Sequence, residues 1–132
     1  MIFKEKSGFT LLEIIIVIII IRVLASLALP RYFKTVEYSR GAEGLQNLGV
    51  MRQSANRCYL RTNSYAPCAL ANLDVDDPST FPQSHFNYGM SNAAVGYTIT
   101  ATRNTTDGGS TTSNITINQD GVRTSGGSFQ GI

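Results

Sequence analysis

Apolar positions are distributed along this chain in three different ways. From Leu11 to Leu29 they are almost unbroken, as Leu, Ile, Val and Ala, and a run of about 20 such residues is what a helix needs to cross the hydrocarbon core of a bilayer. From Arg31 to about Arg61 they thin out and recur at three- and four-residue steps. Leu45, Leu48, Arg52 through its aliphatic stem, Ala55 and Tyr59 then share one stripe, which predicts an amphipathic continuation of the first helix. Three glycines weaken that reading, since Gly41, Gly44 and Gly49 each cost roughly 0.5–1 kcal/mol relative to alanine unless close packing requires them. Beyond Phe86 the period becomes two. Tyr97–Thr102 and Asn114–Asn118 alternate apolar and polar residues, the mark of strands with one buried face. Asp120-Gly121 predicts a tight turn into a further short strand.

The remaining segments read as connections. Asn63 to Gln83 is interspersed with Pro, Asn, Asp and Ser, and Thr105 to Ser113 carries Asp107-Gly108-Gly109, both turn-forming compositions. The expected architecture is α+β: a long N-terminal α-helix, half transmembrane and half amphipathic, packed on an antiparallel sheet of three or four strands. In domain terms this gives residues 1–8, then 9–30 as the apolar helix, 31–61 as the amphipathic helix, and 62–132 as a globular head.

Two ionisable residues interrupt the apolar run, Glu13 near its start and Arg22 near its middle. Inserting a carboxylate there costs on the order of 2–3 kcal/mol, so Glu13 needs a partner or a function. Arg22 lies nine positions further on, half a rotation and about 13 Å along a helix. The two side chains therefore face opposite ways, and a partner for Glu13 is expected from elsewhere. Lys4 and Lys6 precede the run, which places the N-terminus on the cytoplasmic side and everything after Pro30 outside.

Charge and cysteine content sharpen this picture. Charged residues make up 15% of the chain and the net charge is +2, so the basic footprint of a nucleic-acid-binding surface is missing and no specific nucleic-acid partner is expected. The two cysteines, Cys58 and Cys68, lie beyond the apolar run with nine residues between them, a spacing that suits one local disulfide in an exported head. No nucleophile–base pair, metal-ligand cluster or phosphate-cradling loop is legible, so neither enzyme activity nor a cofactor or metal is expected. Asp74-Val75-Asp76-Asp77 lacks the glycine and distal glutamate of an EF-hand loop and reads as a solvated acidic turn. His85 is the single histidine, with no evident chemical companions.

Lys6-Ser7-Gly8-Phe9-Thr10-Leu11-Leu12-Glu13, followed by the apolar helix, resembles the processing signature of type IV prepilins and type II secretion pseudopilins. The resemblance implies cleavage between Gly8 and Phe9 by a membrane prepilin peptidase that also N-methylates Phe9. It places Glu13 at the fifth mature position, where the charged Phe9 amine of a neighbouring subunit would neutralise it and fix axial register. Pro30 falls where pilins commonly carry a helix-bending proline. Arg22 departs from the pattern, since many relatives have glycine there; pairing with a neighbour's carboxylate or snorkelling to a freed carbonyl would accommodate it.

The family resemblance implies the major subunit of a type IV pilus-like filament. Its partners would be copies of itself through the N-terminal helices, the peptidase and an assembly machinery. The precursor would sit in the inner membrane with its head in the periplasm, and the mature subunit in an extracellular filament. Two alternatives remain: a pseudopilin or minor pilin of a secretion system, and an unpolymerised single-pass binding domain. A secretory signal cut after Ala28, suggested by Ser26-Leu27-Ala28, would leave Glu13 without a role.

Overall fold

The computed structural model describes residues 8–132; Lys4 and Lys6, on which the membrane orientation is argued, lie outside the described residues. Helix α1 runs Leu11–Thr62, 52 residues. The chain divides into two compact units, one ending at Thr35 and the other running Val36–Ile132. In the first, the helix passes through Pro30 unbroken, although proline has no N–H to return to the carbonyl of Ser26. The apolar side chains from Phe9 to Leu29 are exposed, and a stretch of mean hydropathy 2.8 has none of its residues buried inside the chain.

The second unit is built on a four-stranded antiparallel meander in the order β1-β2-β3-β4. The strands are β1 Phe86–Ala93, β2 Gly96–Arg103, β3 Asn114–Asn118 and β4 Arg123–Gly126. Register pairs Met90 with Ile99, Ile99 with Ile117, and Ala101 with Ile115, so the period-two apolar residues all reach the same face. The predicted strands over Tyr97–Thr102 and Asn114–Asn118 lie within β2 and β3, and the strand expected after Gly121 is β4. β1 alternates as well, with Phe86 and Tyr88 buried and Asn87 and Gly89 exposed, but a glycine and two asparagines disguise it in sequence.

Against this sheet the second half of α1 lays Leu48, Met51 and Ala55, and Phe129 closes the core from the C-terminal end. Each such large apolar side chain contributes up to about 1.5–3 kcal/mol by leaving water. The buried stripe of α1 is Gly41, Gly44, Leu48, Met51, Ser54, Ala55 and Cys58. The expected Leu45, Arg52 and Tyr59 sit at its margins, half-buried. The stripe is rotated because two glycines belong to it: a Cβ on Gly44 would meet the Phe86 ring at 3.1 Å, and one on Gly41 would meet Phe129 and Ile132 at 3.0 Å. Gly49 faces open space, so close packing accounts for two of the three.

The segment from Asn63 to Gln83 is a connection containing two single-turn 3-10 helices, Leu70–Asn72 and Pro78–Thr80. Its start is tied to the helix by the Cys58–Cys68 disulfide, with the Cα atoms 5.9 Å apart.

Candidate functional site

At the start of α1 the sequence Thr10-Leu11-Leu12-Glu13 forms a capping box. The Thr10 hydroxyl accepts a hydrogen bond from the Glu13 N–H at 3.2 Å, and the Glu13 carboxylate accepts one from the Thr10 N–H at 3.4 Å. Both are donors that the helix itself leaves unpaired. Within the subunit the carboxylate thus serves the backbone three residues back, a capping role that the sequence reading did not assign to it. The charge is uncompensated all the same: among the described residues no cation lies within ion-pair distance of Glu13. A carboxylate in the first turn is also favoured by the helix dipole.

Phe9, just ahead of the cap, is 80% exposed, and Gly8 beside it meets no neighbouring atom. Arg22 is exposed and its guanidinium has no carboxylate within 4 Å among the described residues. Pro30 continues the helix next to a shallow groove of mainly apolar lining formed by Leu24, Leu27, Ala28, Arg31, Tyr32 and Thr35. Gly8, Phe9, Glu13, Arg22 and Pro30 thus lie along one exposed apolar rod. An uncovered surface of this kind and size is stable only in lipid or against other apolar helices.

In the head, several charged residues are drawn into fixed pairs. Arg103 at the end of β2 is fully buried. Its guanidinium donates to both carboxylate oxygens of Glu37 at 3.3 Å, and to the carbonyls of His85 and Asn104 at 3.1 and 3.2 Å. Arg40 adds a 2.6 Å contact to the same Glu37. Burial alone would raise the Glu37 carboxyl, but the hydrogen bonds from Arg103 and Arg40 outweigh it and hold the group below its usual range.

Asp74 is likewise committed. Arg57 grips it with two 2.7 Å bonds, the buried Ser54 hydroxyl donates to it, and its own N–H donates to Ser54 Oγ at 3.1 Å. The bonds from Arg57 and then Ser54 hold its carboxyl well below the usual carboxylate range. Asp74 and Asp76 are exposed, as expected of a solvated acidic turn, and through Asp74 the turn also ties the connection to α1, while Asp77 caps the second 3-10 turn through the Ser79 N–H. Burial pushes the Tyr88 and Tyr97 phenols up to about 12; Tyr97 donates to Asn56 and Tyr88 accepts from Asn47.

His85 also has companions that spacing could not reveal. Its Nδ1 is 2.7 Å from a Glu43 carboxylate oxygen and its Nε2 is 3.5 Å from one of Asp107. No local periodicity links these three positions.

The profile of a protein family described as "Type IV minor pilin ComP, DNA uptake sequence receptor" matches residues 30–115. A type IV major fimbrial protein FimA of Dichelobacter nodosus is 33% identical over 63 residues, covering 48% of this chain and 40% of its own length. A type II secretion system core protein G of Aeromonas hydrophila is 30% identical over 82 residues, covering 61% and 57% respectively. The chain thus spans from two fifths to somewhat under three fifths of these curated relatives. In fold it is similar to the crystal structure of the Neisseria meningitidis non-core minor pilin PilV, with a TM-score of 0.50 at 19% identity over 75% of this chain and 92% of the other.

Proposed function

Since this chain belongs to the type IV pilin family whose profile is described as minor pilin ComP, we propose that it is a minor pilin-like structural subunit that joins a filament through α1. The observation that carries this reading is the exposed rod from Phe9 to Leu29, capped by Thr10 and Glu13. In the membrane, lipid covers it; in a filament, equivalent helices of other subunits cover it, and hydrophobic burial holds the assembly together.

Cleavage between Gly8 and Phe9 would free an α-amine that retains its charge on methylation. The amine of an adjacent subunit can then take the Glu13 carboxylate, which has no cation within ion-pair distance among the described residues. Such a pair offsets desolvation imperfectly and acts chiefly as a register device. Arg22 would meet a neighbour's carboxylate or a carbonyl loosened near Pro30. The precursor would reside in the inner membrane with its head outside the cytoplasm.

The minor role is favoured over the major one expected from sequence because the matching family profile, over residues 30–115, takes in most of the head and is that of a minor pilin. The same description names a DNA uptake sequence receptor, which makes DNA binding a second reading. Charge argues for the structural role first: the net charge is only +2, and Arg40, Arg57 and Arg103 are engaged by carboxylates of this chain, which leaves scattered cations such as Arg61 and Arg123 as the exposed basic groups of the head.

The test is mass spectrometry of sheared surface fibres. N-methyl-Phe9 at the mature N-terminus, in a subunit much scarcer than the principal one, supports the proposal. An intact Met1 with no fibre association overturns it, and dominance of the fibre mass restores the major-pilin reading. DNA binding that weakens steeply with added salt would place receptor function beside the structural one.

A further inference from the structure

We propose that His85 is a proton-operated clasp that fastens the β2–β3 connection, residues 104–113, to α1. The ring stands between two carboxylates contributed by different elements: Glu43 of α1 at 2.7 Å from Nδ1 and Asp107 of the connection at 3.5 Å from Nε2. Glu43 also accepts from the His85 backbone N–H at 3.4 Å, which sets the ring against it. A neutral imidazole carries a single N–H. If that proton serves Glu43, the other nitrogen turns a lone pair toward the Asp107 carboxylate. Only the imidazolium can donate to Glu43 and at the same time turn a positive N–H edge toward Asp107 across 3.5 Å, so charging His85 converts the Asp107 contact from repulsive to attractive.

The remaining charged groups around the ring are already engaged. Arg103 of β2 is directed to Glu37 and to the His85 carbonyl. Arg40 of α1 is shared among Glu37 at 2.6 Å, the Asp107 carbonyl at 3.4 Å and, at 3.8 Å, the same Asp107 carboxylate oxygen that faces His85, so its hold on that carboxylate is loose. His85 is therefore the variable member of the set.

The connection is pinned at its start, where Asn104 donates to the His85 carbonyl at 3.0 Å and to the Ser84 carbonyl at 2.7 Å, and turns sharply beyond it. Asp107 has φ of 57° and Gly108 of 74°, a left-handed pair that is unfavourable for the aspartate. A Cβ on Gly109 would lie 2.2 Å from the Asn104 carbonyl oxygen, so the backbone is tightly folded there. With the clasp charged the turn is held; with it neutral the turn opens more often, changing the surface that Thr105 to Ser110 presents. The sign is fixed by geometry: the ordering contribution is present when His85 is protonated and fades as rising pH removes that proton.

One histidine in the chain makes the test clean. Full-length protein in detergent micelles, labelled at histidine and backbone nitrogen, reports the ring titration and the protection factors of the Thr106 to Ser110 amides in one pH series. Protection should fall about three- to fivefold as the ring loses its proton, the size expected for part-exposed ion pairs, with both signals sharing a midpoint. Asp107→Asn should flatten the protection profile at unchanged core protection. His85→Gln, which keeps a neutral donor toward Glu43, should give a pH-independent profile at the level of the neutral wild type. Equal loop protection on both sides of the wild-type titration overturns the proposal, as does an undiminished pH response in Asp107→Asn.

Discussion

Arg103 of β2 and Glu37 of α1 form a pair in which the guanidinium is wholly out of water and donates to both carboxylate oxygens at 3.3 Å. Burying arginine is tolerable only because the carboxylate and two carbonyls occupy its donors. Removing the charge of Glu37 leaves the cation unpaired, so Glu37→Gln should destabilise the head by about 1–3 kcal/mol in denaturant unfolding. Because the folded-state carboxyl lies below its ordinary value, the contribution is complete above the unfolded carboxylate range of about 4.3. It is lost as pH falls through the lower folded value. The stability difference between wild type and Glu37→Gln should accordingly shrink on acidification.

Cys58 and Cys68 close a short loop that ties the end of α1 to the connection. The double change Cys58→Ser with Cys68→Ser should lower head stability by roughly 2–3 kcal/mol through the freer unfolded chain. Thermal unfolding with and without reductant checks this, and a reductant effect that persists in the double variant would refute it.

Two glycines on one helix should respond oppositely to the same substitution. Gly44→Ala drives a methyl to within 3.1 Å of the buried Phe86 ring and should cost about 1–3 kcal/mol. Gly49→Ala meets open space and should gain roughly 0.5–1 kcal/mol from helix propensity. Melting temperatures of the two variants decide the matter.

Glu13 has two separable tasks under the proposed function. Glu13→Gln retains an acceptor for the Thr10 N–H and so keeps the cap, but removes the charge that a neighbour's amine would meet. Fibre incorporation should fall to background while the subunit accumulates normally in the membrane. Thr10→Ala should weaken the cap by about 1 kcal/mol, which amide exchange in the first turn of α1 would register. Normal incorporation of Glu13→Gln would remove the register role.

Much of the fold was legible because its signals are local. The Leu11–Leu29 run, the alternation in Tyr97–Thr102 and Asn114–Asn118, and the turn at Gly121 each announce an element through residues adjacent in the chain. The capping box was equally readable from Thr10 and Glu13, three apart, yet the apolar setting drew attention to intersubunit pairing. Close packing as the reason for Gly41 and Gly44 was open in the sequence, but its partners Phe129 and Phe86 were not, because no period connects them to the helix.

By itself, then, the sequence determined the apolar helix, its processing-like signature, the strand periodicity and the cysteine spacing, since propensity and amphipathic pattern act over a few residues. Tertiary structure alone decided which face of α1 is buried, that Arg103 reaches Glu37, that Arg57 and Ser54 hold Asp74, and that His85 stands between Glu43 and Asp107. Those contacts join elements far apart in the chain. For Arg103 the energy comes from burial and the loss of competing water, and for the exposed Arg57–Asp74 pair from hydrogen-bond geometry; both exist only after the chain has closed on itself.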